Sequence, residues 1–187
     1  LDAAWRAFPE WAACPAAVRA AVTIKLASEL RRRKLSLAAW ETLEASKNWL
    51  EAEADVAEAI DFCEYYARQA LDLARPVPVN PWPGEINQSW LQPLGAGVVI
   101  SPWNFPLAIL VGMAMGPVAA GNTVVLKPSS NTPMTAAVFM EAVAAAGFSP
   151  GIINFLPATG GDMGDYLVDH PRVRFINFTG SKEVGLR

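Results

Sequence analysis

Three short strings in this chain of 187 residues put reactive or ligand-holding side chains where an apolar run ends. The first is Ser101-Pro102-Trp103-Asn104-Phe105-Pro106, which follows Gly97-Val98-Val99-Ile100. Prolines at 102 and 106 fix the backbone of a turn. By residue type alone, an asparagine in such a turn reads as a cap for the following helix. The second is Lys127-Pro128-Ser129-Ser130, after Thr123-Val124-Val125-Leu126. Taken alone, that lysine reads as an exposed charge at a strand end, which is where open α/β sheets hold ligands. The third is Phe178-Thr179-Gly180-Ser181, where Gly180 allows close approach and Ser181 caps a helix whose first N–H groups suit a pyrophosphate. Gly160-Gly161-Asp162-Met163-Gly164 adds a glycine-rich turn opening a helix. It is a weak phosphate-loop signal without the G-x-G-x-x-G spacing.

Neither cysteine reads as a nucleophile. Cys63 sits on the apolar stripe of a long helix, where thiols are inert packing, and Cys14 precedes Pro15 far from the strand ends. The single histidine, His170, precedes Pro171 and reads as a turn residue. No metal-ligating cluster is expected. Two widely separated cysteines make no disulfide framework and point to reduced thiols in a cytoplasmic setting. A net charge of −3 and a pI near 5.2 give no reason to expect nucleic acid. The one basic run, Arg31-Arg32-Arg33-Lys34, closes a helix, where cations complement the dipole. The longest apolar stretch, Leu107 to Ala120, is shorter than a membrane span and is broken by Gly112, Gly116 and Pro117.

The elements that must position these groups follow from periodicity. Residues 1–75 read as helices, with segments at 1–8, 15–34 and 51–73. The last carries an apolar stripe of Val56, Ile60, Cys63, Ala67, Ala70 and Ala74. Residues 76–95 form a proline-rich connector and a short exposed strand at 88–92. From 96 to 187, apolar strands at 98–101, 123–127, 152–156 and 173–178 alternate with helices at 107–120, 133–146 and 163–169, the second stopped by Gly147. That alternation predicts right-handed βαβ crossovers and a parallel sheet. The fold class is therefore α/β, with N-terminal helices followed by a Rossmann-like sheet whose strand ends open on a shared crevice.

Taken together, Pro102-Trp103-Asn104-Phe105-Pro106, Lys127-Pro128-Ser129 and Phe178-Thr179-Gly180-Ser181 resemble the aldehyde dehydrogenase superfamily, in its cofactor-binding half. The resemblance implies that Asn104 donates its amide to the oxyanion formed when a thiolate attacks an aldehyde. It implies that Ile100, Ser101, Trp103, Lys127, Ser129, Ser130, Gly160, Gly164, Phe178, Thr179, Gly180, Ser181 and Val184 surround NAD. Many relatives carry an acid where Ser130 stands, which would repel a 2′-phosphate; the neutral serine leaves NADP possible. Ser46-Lys47-Asn48-Trp49, 53-EADVAEAIDF-62 and 174-RFINFTGS-181 resemble the bacterial group that oxidises L-glutamate γ-semialdehyde in proline breakdown. In that group, residues matching Glu58 and Phe105 line the substrate pocket, a carboxylate being a suitable partner for an α-ammonium. The strand at 88–92 and its proline-rich lead-in match an oligomerisation flap, so the intact protein is expected to be at least a homodimer.

By the same resemblance, the family's nucleophile and general base lie downstream of Ser181, and the chain corresponds to the middle portion of a family member. It starts on Leu and stops a few residues into a helix, so both ends are expected to lie within a longer protein, and the isolated chain is expected to be inactive. Rival readings are a dehydrogenase of succinate semialdehyde or of aliphatic aldehydes, and a non-catalytic nucleotide-binding module. The central expectation is that Asn104, Lys127 and Ser181 face one ligand.

Overall fold

The computed structural model describes residues 1–186. Four helices come first: α1 (Asp2–Ala13), α2 (Ala16–Arg32), α3 (Lys34–Ala45) and α4 (Trp49–Leu73). Helix α1, expected to begin over residues 1–8, runs on through Pro9 to Ala13. Its far end is tied down by tertiary contacts: Trp11 is buried and its indole N–H donates to Val118 O at 2.9 Å. Helix α3 is not anticipated by the sequence reading. Only one residue, Arg33 (φ −99°, ψ 7°), separates it from α2, and no proline or glycine marks that break. Helix α4 buries its stripe as expected from Val56 to Ala70, whereas Ala74 is its exposed C-cap. The side chain of Asn48 caps its first turn, accepting from Glu51 N at 3.0 Å.

Strands β1 (Val77–Pro78) and β2 (Gln88–Ser89) form a small exposed antiparallel ribbon. The expected strand at 88–92 therefore ends at Ser89, three residues earlier than the pattern indicates. The core sheet is built from β3 (Ala96–Ile100), β4 (Thr123–Lys127), β5 (Ile153–Phe155) and β6 (Ile176–Phe178), all parallel, in the order β5-β4-β3-β6. Helices α5 (Ala108–Ala119), α6 (Pro133–Ala146) and α7 (Gly160–Val168) make the crossovers, and α8 (Lys182–Gly185) follows β6. Period-two alternation sorts the side chains to two faces. Val99, Val124 and Leu126 join the large core with α2, α4, α5 and α6, while Val98 and Val125 pack against Leu167 of α7. The N-terminal helices thus share one core with the sheet.

Helix α7 begins at Gly160, three residues before the expected start. Glycine is a poor helix former, so the sequence reads 160–162 as a loop; in the fold, Met163 N bonds to Thr159 O at 3.3 Å and the first turn closes over them. The chain runs β3, β4, β5 in one direction and then crosses back to place β6 on the other side of β3. The strand order reverses between β3 and β6, and a crevice at the carboxyl ends there is where open α/β sheets hold ligands.

Candidate active site at the strand ends

Three adjacent strands finish in register. Ile100 pairs with Lys127 on one side and Phe178 on the other. All three residues line a cavity of about 650 Å³, completed by Gly160, Gly164 and Gly161 from α7 and by Val184 and Gly185 from α8. Six of the residues expected around a cofactor are therefore gathered: Ile100, Lys127, Gly160, Gly164, Phe178 and Val184. A side chain at Gly160 or Gly164 would meet nothing within 4 Å, so the glycines leave open space for a ligand rather than relieving a packing clash.

Lys127 is the buried cation of this cavity, which Asp165 and Asp169 also line. It is 5% exposed, and its Nζ donates only to Pro128 O, at 3.3 Å. Among the described residues no carboxylate pairs with it, and burial pushes its ammonium below the ordinary lysine range. The neighbouring Ser101 hydroxyl is buried and likewise without a partner in the described residues. Buried polar groups are normally satisfied. The N–H bonds that Lys127 has to spare beyond Pro128 O suit ligand hydroxyls. The unpartnered Ser101 hydroxyl lies at the adjoining strand end without lining the cavity, and the glycine-lined wall leaves room for a phosphate-bearing group.

Gly180 lies against the ring of Phe178, where a Cβ would come within 2.6 Å of Cζ. Ser181 caps α8, accepting from Val184 N at 3.4 Å, and Thr179 N bonds to Ile100 O at 3.1 Å. These residues build the cavity edge rather than line it. Ser129 uses its hydroxyl to accept from Asn131 N at 3.3 Å, and Ser130 is exposed in the same turn. Neither reaches the cavity.

A second cavity, of about 410 Å³, begins three residues beyond Ile100. It is lined by Trp103, Asn104 and Phe105 from the turn after β3, by Lys47, and by Glu51, Asp55 and Glu58 from α4. Trp103 thus stands with Asn104 and not on the Lys127 cavity, as the sequence reading has it. The expectation that Asn104, Lys127 and Ser181 face one space is not met: Lys127 and Asn104 line separate cavities and Ser181 lines neither. Asn104 is exposed, and its amide makes no hydrogen bond among the described residues. Glu51 and Glu58 stand two helical turns apart on one exposed face of α4, giving this cavity an acidic rim.

The sequence reading misses the charged cluster beneath that cavity. Lys47 forms an ion pair with Asp55 and lies 3.4 Å from Glu41 Oε2, with both carboxylate side chains fully buried. Asp55 Oδ1 also accepts the Ala108 N–H at 2.5 Å, and the Lys47 ammonium sits 4.2 Å from the centre of the Phe105 ring. Burial, reinforced by the Asp55 charge and opposed by Lys47, pushes the Glu41 carboxyl up to about 9. The available signal was an acid inside an apolar stripe, Asp55 between Ala52, Val56 and Ala59.

Neither cysteine enters either cavity. Cys63 is buried in the large core, where its thiol is raised to about 12 by desolvation, and Cys14 stands among α1 and α2 residues. Among the described residues no metal-binding cluster occurs, and no helix is long and apolar enough to cross a membrane.

Residues 1–187 match the aldehyde dehydrogenase family. The chain belongs to that family. It is 50% identical over all 187 residues to the 1-pyrroline-5-carboxylate dehydrogenase of Geobacillus kaustophilus, and 51% identical to 1-pyrroline-5-carboxylate dehydrogenase 2 of Bacillus subtilis. In both comparisons it spans 36% of the relative's length. It superposes with a TM-score of 0.97 and 56% identity on the Thermus 1-pyrroline-5-carboxylate dehydrogenase with bound NAD, covering 99% of this chain and 36% of that one. Proline utilization A from Bdellovibrio bacteriovorus matches at 45% identity and a TM-score of 0.97, with 19% of that chain covered. The aldehyde dehydrogenase fold thus accounts for the parallel sheet, its switch point and the strand-end turns together.

Proposed function

We propose that these residues form the nucleotide-binding portion of an NAD-dependent dehydrogenase that oxidises L-glutamate γ-semialdehyde to L-glutamate. The observation that carries this reading is the juxtaposition at the end of β3. One cavity offers Lys127 and glycines, and the next offers Asn104 beside an acidic rim. The first fits NAD, which supplies the hydride acceptor when bound. Lys127 would hold its ribose hydroxyls, with Gly160, Gly164, Phe178 and Val184 walling the dinucleotide. A neutral, exposed Ser130 leaves room for NADP as a poorer alternative.

In the second cavity, the free Asn104 amide is placed to donate to an oxygen that gains negative charge. Glu58 and Glu51 would draw a substrate ammonium, which favours an amino-acid semialdehyde over succinate semialdehyde or a plain aliphatic aldehyde. The likeness to proteins named 1-pyrroline-5-carboxylate dehydrogenase supports the choice. Neither Cys14 nor Cys63 serves as nucleophile, so that thiolate and the base for thioester hydrolysis come from outside these residues. The exposed β1–β2 ribbon would pair copies of the protein, and we place it in the cytoplasm, where Cys14 and Cys63 stay reduced.

The test is NAD reduction by the protein carrying this chain, assayed with glutamate γ-semialdehyde, succinate semialdehyde and an unbranched aliphatic aldehyde. The highest kcat/KM is expected for the first, and none of the three should turn over with the 187-residue chain alone. A preference for succinate semialdehyde, which lacks the ammonium, would overturn the substrate assignment. NAD binding without oxidation of any aldehyde would leave only a nucleotide-binding module.

A further inference from the structure

The buried cluster under the second cavity is an expensive arrangement for a purely structural purpose. Lys47 and Asp55 are withdrawn from water together beside the Glu41 carboxyl, and burying an ion pair generally gains little over apolar packing. What they touch explains their presence. The Lys47 ammonium lies against the face of Phe105, a favourable cation–π geometry. Asp55 holds that ammonium with one oxygen and, with the other, accepts the N–H of Ala108, the first residue of α5. Asn104 precedes Phe105 directly and makes no hydrogen bond of its own among the described residues. Its direction is therefore set by the chain around it, and besides the buried Pro106 and Leu107 that chain is held at residues 105 and 108, both by the Lys47–Asp55 pair. Asn48, capping α4 beside Lys47, fixes the other end of the linkage.

We propose that Lys47 is a positioning residue: clamped by Asp55, it holds Phe105 by its ring face and so aims the Asn104 amide into the cavity. The proposal rests on the reading of Asn104 as the donor to the developing oxyanion. It assigns to the α3–α4 junction, remote in sequence, control over the geometry of that donor.

A double-mutant cycle in the intact enzyme tests it, using Lys47→Met and Asn104→Ala singly and together. Displacing a catalytic donor by about an ångström costs on the order of 100-fold, so Lys47→Met should lower kcat about 10- to 100-fold with KM for NAD nearly unchanged. In the Asn104→Ala background the same substitution should cost less than about threefold, since it acts through that amide. Lys47→Arg should recover part of kcat. An equal loss in both backgrounds, or a loss of thermal stability alone, overturns the proposal. If Lys47→Met does not fold, Asp55→Asn replaces it, keeping an acceptor for Ala108 while removing the charge that holds Lys47. A wild-type enzyme that prefers another aldehyde would refute the substrate reading but leave this cycle measurable on that aldehyde. If no aldehyde turns over, fluorine NMR of the fluorophenylalanine-labelled protein decides. The Phe105 resonance, assigned by Phe105→Leu, should move and narrow in Lys47→Met, and an unchanged signal overturns the proposal.

Discussion

At the scale of single residues, two buried ionisable groups carry opposite messages. Lys127 is buried, desolvation disfavours its ammonium, and no carboxylate among the described residues pairs with it, so the fold gains little from that group. Lys127→Met should leave the melting temperature unchanged or higher, yet weaken NAD binding about 10- to 100-fold, as for a lost hydrogen bond to a charged donor. Calorimetric titration with NAD beside a thermal melt would separate the two effects; equal affinity in both proteins would remove Lys127 from the site. Glu41 bears on folding. Its carboxyl ionises at about 9 in the fold against the ordinary 4.5, so the folded state holds the proton more tightly. The stability it contributes is full below about 4.5 and is lost progressively as pH rises to about 9, because the unfolded chain ionises first. Asp2, Glu29 and Glu64 are lowered and act in the acid range, and Cys63 acts only above its ordinary 9.0. Urea unfolding of wild type should therefore weaken from pH about 5 to about 9, and Glu41→Gln should flatten that slope. A slope that survives Glu41→Gln would assign it to another group.

At the scale of elements, legibility followed how local the signal was. Asn104, Lys127 and the Phe178–Ser181 turn could be read because each lies where its own strand ends, and a strand end announces itself by an apolar run meeting proline, glycine or serine. The Lys47–Asp55–Glu41 cluster could not, because its members come from two helices and the turn between them, and their charges resemble a solvated surface. The α2–α3 break lacked any punctuating residue for the same reason: tertiary packing of Leu37, Ala38 and Glu41 ends one helix and starts the next. The first helix shows how such packing is enforced. Gly151, before β5, has φ +95°, and a Cβ there would stand 2.7 Å from Ala3 O and 2.9 Å from Ala7 Cβ. The obstacle is α1 backbone, which cannot swing aside. Gly151→Ala should cost about 1–3 kcal/mol, combining a left-handed backbone with overpacking. Denaturant unfolding measures it, and a loss under about 0.5 kcal/mol would mean that α1 is not held firmly on the sheet.

At the scale of the whole molecule, the sheet packs core residues on both faces, but the β1–β2 ribbon stands exposed among the described residues. Val77, Trp82, Ile86, Trp90, Leu91 and Leu94 are between 59% and 92% exposed. Contiguous apolar surface of that kind marks an interaction site more often than a free surface, and an edge of unpaired strand adds backbone groups seeking partners. Its position in the chain, between the helices and the sheet, keeps it clear of both cavities, so a second copy could dock there without closing the site. Sedimentation of the protein carrying this chain should give a mass of at least a dimer. Trp90→Glu with Ile86→Lys should shift it toward the monomer, because each charge would have to be desolvated at the contact. NAD affinity should stay within about twofold in the same variant, since neither residue lines the Lys127 cavity. An unchanged oligomer would mean that the copies meet elsewhere. Loss of nucleotide affinity along with the oligomer would mean that the ribbon, through its partner, helps to shape the site itself.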